Sequence, residues 1–388
     1  MESTFIDRRP GSQDVCIAFS ARDTAKGKFT FYSILSSLPA HVIFVNDFSN
    51  GWYLNGTPEF GDEAGLLNWL VEKIDSLKTF SGRVFTLGSS MGAYAALKYG
   101  SLLGADRIMA LGPESELCIP LGRSVTSLQS IPEGAGNIAS LPFKVPQDVL
   151  VLSGNNDIVD FYCACQLKAA NPLLGVYLIT NRTHVVAKYI DGQFGLSKVV
   201  NSFFMNGDTT FLIQAETSTT IDVVRATAIK KFNEILAIQK TVCLGDSDAI
   251  ITVANEIPAW SMPQYFSALI SEKQGDLGAC EYFLQRALAV HPLLGRARLK
   301  MAQIQFKARR YRECVDLLED TPASGYTQKI GELLSEAYLN LGNTQKACSA
   351  LNRLDLASVD SAAADRIAHK LASLQAPYSN VISKPFEQ

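Results

Sequence analysis

Ser90 stands between two glycines, in a setting where a serine hydroxyl could act as a nucleophile. It is the centre of "GSSMG" (88–92), which fits the pattern G-x-S-x-G. At ordinary glycine and serine frequencies, about one chain in eight of this length contains the pattern by chance. The flanking residues are more specific, because "RVFTL" before it is typical of a strand and "GAYAAL" after it of a helix. The sequence therefore predicts a tight turn that exposes the hydroxyl at the top of a sheet, at a helix N-terminus.

A serine hydroxyl is a poor nucleophile until a base takes its proton, and a histidine and a carboxylate follow Ser90 along the chain. His184 comes after the predicted strand "VYLITN", and Asp157 lies three residues beyond the end of the predicted strand "DVLVLSG". That position suits an acid that orients an imidazole. Asp160 is the alternative acid, although it should already belong to the following helix. The other histidines precede the serine or lie in the helical half of the chain: His41, His291 and His369.

Short runs rich in valine, isoleucine and leucine alternate with helical patterns from residue 14 to about residue 206. Strands are predicted at "DVCIAFSA", "HVIFVND", "RVFTL", "DRIMALGP", "DVLVLSG" and "GVYLITN". Helices are predicted at "FTFYSILSSL", "DEAGLLNWLVEKIDSLK", "MGAYAALKYGSLL", "IVDFYCACQLKAA" and "FGLSKVVNSFF". This alternation indicates a parallel sheet covered on both faces, which is a three-layer α/β fold.

The turn around Ser90, together with the order Ser90, Asp157 and His184, resembles the α/β-hydrolase superfamily over residues 14–206. The resemblance implies that Ser90 is the nucleophile, His184 the general base and Asp157 the group that orients it. It also implies an oxyanion hole that uses the backbone N–H of Met91.

A second oxyanion donor is expected from the loop "FSARDTAKG", at Ser20 or Ala21, although the usual His-Gly signature is absent there. The family's leading antiparallel strands are expected to be missing. Residues 113–147 are long enough for a short lid only, which counts against long acyl chains.

Two further loops at the carboxyl edge of the predicted sheet suggest substrate contacts. They contain Arg22 in the first loop and Asp47, Trp52 and Tyr53 in "NDFSNGWYLNG". An aromatic pair among Asn and Asp suits a sugar, because rings stack on pyranose faces. The alternatives are that Trp52 and Tyr53 pack under the lid and that Arg22 is a solvated loop charge.

The layout of "FSA", "NGWYLNG" and "GSSMGAYAAL" is similar to small hydrolases of bacterial surface-polysaccharide loci. It is distantly similar to the glycan O-acetylating component of accessory secretion systems. The predicted function is a serine carboxylesterase or carbohydrate O-deacetylase that handles small acyl groups through an acyl-enzyme. An O-acyltransferase that modifies a glycan and a repeat-based adaptor with a hydrolase-like scaffold are the alternatives.

From about residue 208 the strand signal fades and an internal helical repeat begins. The segments that start at Gly275, Arg309 and Gly342 align with periods of 34 and 33 residues. They resemble tetratricopeptide repeats over residues 263–354, with Arg309 in place of the usual glycine. The resemblance implies an all-α domain that binds a protein or peptide partner, and a generic helical domain is the alternative. Small residues recur in register at the positions Ala268, Ala302 and Ser335, and Cys280, Cys314 and Ala347.

Composition limits the remaining function classes. The formal net charge of −3 has no basic stripe, so nucleic acid is not an expected partner. Eight scattered cysteines and four histidines lack metal-site spacing, so no metal and no cofactor is expected. With a polar N-terminus and no apolar run long enough for a membrane span, we expect a cytoplasmic protein. The predicted domains are 1–207 and 208–375, followed by a loosely ordered tail, 376–388.

Overall fold

The computed structural model describes residues 3–119, 122–131, 136–155, 157–179, 182–214, 217–218, 251, 254–255, 261–292, 294–321, 326–354 and 361–375. The chain forms two compact units, Met1–Val253 and Ala254–Gln388. The predicted boundary at 207/208 falls earlier. The helices expected between 208 and 255 fall mostly outside the described residues, as does the tail 376–388.

The first unit is built on a sheet with eight strands among the described residues. The strands are β1 Thr4–Asp7, β2 Val15–Phe19, β3 His41–Val45, β4 Val84–Ser89, β5 Arg107–Leu111, β6 Val149–Gly154, β7 Gly175–Ile179 and β8 Thr217–Ser218. Their order is β1-β3-β2-β4-β5-β6-β7-β8. Strands β2 to β7 are parallel, and the edge strands β1 and β8 run antiparallel to their neighbours.

Helices cover both faces of this sheet. They are α1 Glu63–Leu77, α2 Met91–Leu102, α3 Ile158–Ala170, α4 Val186–Phe194, α5 Leu196–Asn206 and α6 Phe211–Gln214. On one face, Phe85 and Leu87 of β4 join a core that includes Val199 and Phe203 of α5. On the other face, Thr86 donates its hydroxyl hydrogen to the carbonyl of Ala96 in α2 (2.8 Å). Alternate residues of one strand thus face different layers, and the predicted three-layer α/β fold is confirmed.

Four local features of this unit differ from the sequence-based expectation. A leading antiparallel strand, β1, is present: it has only four residues, and Phe5 lies against the rings of Phe29 and Phe44. The segment "FTFYSILSSL" contains only a 3-10 turn, Ile34–Ser37, because its aromatic residues pack across the sheet edge rather than along a helix face. Helix α4 was not predicted at all. The two-residue strand β8 adds a strand after residue 208, where only helices were expected.

The described part of the second unit is helical. Its helices are α7 Ser261–Lys273, α8 Leu277–Val290, α9 Gly295–Lys307, α10 Tyr311–Leu318, α11 Gln328–Asn340, α12 Thr344–Asn352 and α13 Ser361–Gln375. Helices α7 and α8, α9 and α10, and α11 and α12 pack in successive pairs. All the small residues that recur in register are fully buried, at 0% exposure: Ala268, Cys280, Ala302, Cys314, Ser335 and Ala347. Small side chains at these positions are what close helix packing requires, while assignment to the tetratricopeptide family stays a prediction.

Candidate active site

Ser90 lies in a strained turn between β4 and α2. Its backbone angles are φ 55° and ψ −118°, a conformation that side-chain-bearing residues rarely adopt. A Cβ on Gly88 would lie 1.9 Å from the carbonyl oxygen of Gly92, and a Cβ on Gly92 would lie 2.2 Å from that of Phe19. Both glycines of G-x-S-x-G are therefore required for the strand, the turn and the helix to pack this closely.

The Ser90 hydroxyl is hydrogen-bonded to a histidine that is in turn hydrogen-bonded to an aspartate. His184 Nε2 lies 2.8 Å from Ser90 Oγ, and His184 Nδ1 lies 2.7 Å from Asp160 Oδ1. His184 occupies the loop between β7 and α4. Gly154, at the end of β6, lets that loop approach, since a Cβ there would lie 2.3 Å from the carbonyl oxygen of Arg182. The arrangement of hydroxyl, imidazole and carboxylate is one that activates serine nucleophiles.

The carboxylate that contacts His184 is Asp160 and not the predicted Asp157. Asp157 is the N-cap of α3, where its Oδ1 accepts the N–H groups of Val159 and Asp160, both at 3.1 Å. Its other oxygen, Oδ2, accepts from Arg123 Nη2 at 2.5 Å. The alternative acid, Asp160, does lie on the helix, and the first turn of a helix is a favourable place for a carboxylate.

Burial and charge set opposite pKa shifts on the two aspartates. Burial raises the pKa of Asp160 above its ordinary value, and the charge of Asp157 adds to this, while His184 and Arg123 act in the other direction. For Asp157, burial alone would raise the pKa, but Arg123 and His184 outweigh it and the pKa is lowered. Asp160 Oδ2 has no hydrogen-bond partner among the described residues.

Sequence reasoning missed two residues between β5 and β6 that shape this site. Arg123 pairs with Asp157 and also places Nη1 3.5 Å from Asp160 Oδ1. Glu114, itself buried, accepts the backbone N–H groups of Arg123 and Ser124. The segment expected as a short lid, 113–147, contains 3-10 turns at Ser124–Thr126 and Pro146–Asp148 in its described parts. No sequence signal marked Arg123, because its partners are more than 30 positions away.

Both proposed second oxyanion donors are already hydrogen-bonded within the protein. The N–H of Ser20 donates to the carbonyl of Val45 at 2.9 Å, which extends the pairing of β2 with β3. The N–H of Ala21 donates to Thr30 Oγ1 at 2.9 Å. Neither is free for a substrate oxygen in this conformation. Met91 is the first residue of α2, where a backbone N–H has no intrahelical acceptor, and its role as donor stays a prediction.

Three of the four predicted substrate contacts belong to the core. Trp52 and Tyr53 are fully buried at 0% exposure, and the Tyr53 hydroxyl donates to the carbonyl of Ser20 at 2.9 Å. Asp47 is also buried and accepts the N–H of Tyr53 at 3.0 Å. These side chains are packed inside the protein and cannot stack on a sugar in this conformation.

The fourth predicted contact, Arg22, is partly exposed. Its Nη1 donates to the carbonyl of Arg123 (3.2 Å) and to Thr126 Oγ1 (3.1 Å). It therefore ties the first loop to the segment that carries Arg123.

The described residues contain no cluster of three or more His, Cys, Asp or Glu side chains that could hold a metal ion. Among the helices of the described residues, none combines the length and apolarity that crossing a membrane would need.

The first unit has an α/β-hydrolase-like fold, because its mostly parallel sheet carries a strand–turn–helix at Ser90. No protein-family model and no curated protein matches the sequence.

Similar solved structures include a glycosylation-associated protein complex from Streptococcus agalactiae, at 16% identity over 52% of this chain and 44% of that chain (TM-score 0.39). A capsule O-acetyltransferase of Neisseria meningitidis serogroup A matches at 15% identity over 51% of this chain and 92% of that chain (TM-score 0.37). A lidless α/β serine hydrolase from Xanthomonas campestris matches at 18% identity over 51% and 87% (TM-score 0.34). The chain thus spans less than half of the streptococcal chain, and likeness at this level carries no function.

Proposed function

We propose that the first unit is a serine hydrolase that forms an acyl-enzyme on Ser90. The observation that carries this proposal is the hydrogen-bonded chain from Ser90 Oγ through His184 to Asp160. His184 Nε2 takes the hydroxyl proton as Ser90 Oγ bonds to the ester carbonyl carbon. Asp160 holds the imidazole with Nδ1–H towards the carboxylate and stabilises the imidazolium that results.

The reaction then proceeds in two halves. The tetrahedral intermediate breaks its bond to the leaving alcohol, which takes the proton from His184 Nε2, and the acyl group stays on Ser90. A water molecule gives its proton to His184 and attacks the acyl carbon, and the returning proton restores Ser90 Oγ–H. Small acyl groups, as in a carboxylesterase or a carbohydrate O-deacetylase, are the substrates we propose.

Trp52 and Tyr53 are buried and cannot stack on a sugar ring. They therefore do not support a glycan substrate. An O-acyltransferase would share the acyl-enzyme and differ only in passing the acyl group to a sugar hydroxyl instead of water. Comparing acyl release with and without an added sugar acceptor separates the two, since only transfer produces an acylated sugar.

The direct test is covalent labelling of the full chain with a fluorophosphonate. Wild type should be labelled on the peptide that contains Ser90, and it should release an initial burst of product from a short-chain activated ester. Ser90→Ala and His184→Asn should lose both properties. Ser89→Ala removes the neighbouring hydroxyl of the same motif and should keep them, while absent labelling of folded wild type would overturn the proposal.

For the second unit we propose recruitment of a protein or peptide partner. The support is the succession of helix pairs in the described residues, with fully buried small residues at a period of 33 or 34. If the protein acts only as an adaptor, its cellular role should survive Ser90→Ala. If it acts as an enzyme, that substitution should abolish the role.

A further inference from the structure

Two aspartates near His184 could each orient its imidazole, and one arginine contacts both. Asp157 is the N-cap of α3, Asp160 lies in its first turn, and Arg123 reaches both side chains. We propose that Arg123 is a positioning residue that engages Asp157 and thereby leaves Asp160 to orient His184. The inference rests on the proposed serine chemistry, in which the orienting carboxylate controls the base.

The contacts of Arg123 to the two carboxylates are unequal. Its Nη2 lies 2.5 Å from Asp157 Oδ2, whereas its Nη1 lies 3.5 Å from Asp160 Oδ1. With the helix-cap bonds on Oδ1, both oxygens of Asp157 are occupied. The hydrogen bond of Asp160 is instead directed to His184. The guanidinium of Arg123 therefore pairs with Asp157, which does not contact His184. It contacts only weakly Asp160, which orients His184.

Hydrogen bonds hold the backbone of Arg123 at both its N–H and its carbonyl group. The buried carboxylate of Glu114 accepts the backbone N–H groups of Arg123 and Ser124, and Ser124 is itself fully buried. Arg22 holds the carbonyl of Arg123 and the hydroxyl of Thr126. An arginine that formed an ordinary surface ion pair would not need these anchors, because exposed pairs gain little from fixed geometry.

Without the guanidinium, two carboxylates would remain in one low-dielectric turn. The side chain of Asp157 is 15% exposed and that of Asp160 is 0% exposed. Solvent therefore cannot take the place of the positive charge of Arg123 beside Asp160. Two negative charges this close favour protonation of one of the two carboxylates. Asp157 would then be free to compete for His184 Nδ1.

The first test follows the hydrogen bond of His184 Nδ1 and needs no catalytic activity. The imidazole signals of the full chain are followed by NMR in Ser90→Ala, and His184→Asn identifies the signal of interest among the four histidines. Asp160 contacts His184 directly, and Asp157 and Arg123 are the charged groups next to this pair. Glu114 and Arg22 hold the backbone of Arg123.

Arg123→Met should change the chemical shift of the His184 Nδ1–H proton, because Asp157 then competes with Asp160 for that hydrogen bond. Adding Asp157→Asn removes the competing carboxylate and should return the chemical shift close to its starting value. Arg83→Met breaks a comparable ion pair with Asp14 away from the site and should leave it unchanged. An unchanged His184 Nδ1–H signal in folded Arg123→Met would overturn the proposal.

The second test uses activity. Arg123→Met should reduce kcat/KM by about tenfold or more, because the carboxylate that orients His184 is no longer fixed. Arg123→Met combined with Asp157→Asn should recover much of that loss, although the ion pair is absent in both variants. If the ion pair were merely structural, the double variant would be no better than the single one, which would refute the positioning role. Arg123→Lys keeps the charge and provides a milder variant if Arg123→Met unfolds.

The two levels of the proposal fail in different ways. If wild type is not labelled by the fluorophosphonate but Arg123→Met changes the His184 Nδ1–H signal as expected, the serine chemistry is refuted and the role of Arg123 stands. If wild type is active and Arg123→Met changes neither the signal nor kcat/KM, only the role of Arg123 is refuted.

Discussion

Gly112 lies beside the imidazole of His184, with no room for a side chain between them. A Cβ at Gly112 would be 3.1 Å from His184 Nδ1 and 3.3 Å from Asp160 Oδ2, both tighter than ordinary contacts. Gly112 follows β5 and has a φ of +63°, so its backbone also favours glycine. The absence of one side chain at the end of β5 thus makes room for the pairing of His184 with Asp160.

Gly112→Ala is expected to lower kcat/KM by about tenfold to a hundredfold, because a displaced imidazole no longer aligns with Ser90 Oγ. Gly104→Ala is the matched control: its φ is +60°, but its nearest neighbour, Lys144 Cδ, lies 4.0 Å away. Both substitutions should cost about 1 kcal/mol of stability through backbone strain, and only the first should impair catalysis. Equal loss of activity in both would show that crowding at His184 does not matter.

The strain at Ser90 predicts a difference between two inactive variants. Ser90→Ala and Ser90→Gly both remove the hydroxyl, but only glycine adopts φ 55° with ψ −118° without steric cost. Ser90→Gly should therefore be more stable than Ser90→Ala by about 1 kcal/mol in urea unfolding. If alanine proves equally stable, the turn stores no backbone strain.

The two aspartates should contribute to stability with opposite dependence on pH. The raised pKa of Asp160 means that folding favours its protonated form, so its contribution is lost as pH rises from about 3.8 through the folded value. Asp160→Asn should therefore gain stability relative to wild type as pH increases, and at neutral pH it should unfold at or above the wild-type temperature.

The lowered pKa of Asp157 has the reverse effect, because its contribution is present above about 3.8 and lost as pH falls. Asp157→Asn should unfold at a lower temperature than wild type at neutral pH, and the gap should close in acid. Thermal unfolding of both variants across the range from acid to neutral pH checks the two trends together. Parallel curves for the two variants would contradict the assigned shifts.

Strong local patterns predicted most of the first unit. Helix α3 has the bounds of the segment "IVDFYCACQLKAA", and β4 and α2 lie where the residues around Ser90 placed them. The helical spacing of apolar residues in "FTFYSILSSL" predicted a helix that the structure does not have. The rings of Phe29 and Tyr32 pack on Phe44 of β3 instead of forming a helix face. Apolar spacing alone does not distinguish these two uses of aromatic residues.

The site was less predictable, because distant contacts decide it. Ser90 and His184 follow strands and could be found by position. The choice between Asp157 and Asp160 depends on Arg123, which lies 34 residues before Asp157, and no local pattern marks that contact. The burial of Trp52 likewise depends on a positive φ of 56°, which its residue type does not suggest.

Tyr53 is expected to act in folding and not in substrate binding. Its hydroxyl donates to the carbonyls of Ser20 and Val45, and its ring packs edge-on against Phe19. Tyr53→Phe should cost about 1–2 kcal/mol in urea unfolding, because the buried carbonyl of Ser20 loses its hydroxyl donor, and should leave KM unchanged. Tyr32→Phe, at a site where 57% of the residue is exposed, should change stability by less than about 0.5 kcal/mol. A raised KM for Tyr53→Phe alone would restore a binding role.

Arg309 occupies a backbone position that the equivalent turns fill with glycine. Gly275, Arg309 and Gly342 have φ of 80°, 61° and 76°, and each N–H donates to the carbonyl three residues earlier. In each turn the next residue's N–H reaches the carbonyl five positions back, as in a glycine-terminated helix end.

Arg309→Gly should therefore stabilise the helical unit by about 0.5–1 kcal/mol. Gly342→Ala should destabilise it by a similar amount, because no atom lies near the added Cβ and only backbone strain changes. Hydrogen exchange of the amides in α9 and α10 of the full chain measures the first effect, and exchange in α11 and α12 measures the second. Faster exchange in Arg309→Gly would show that the arginine side chain contributes more than its backbone conformation costs.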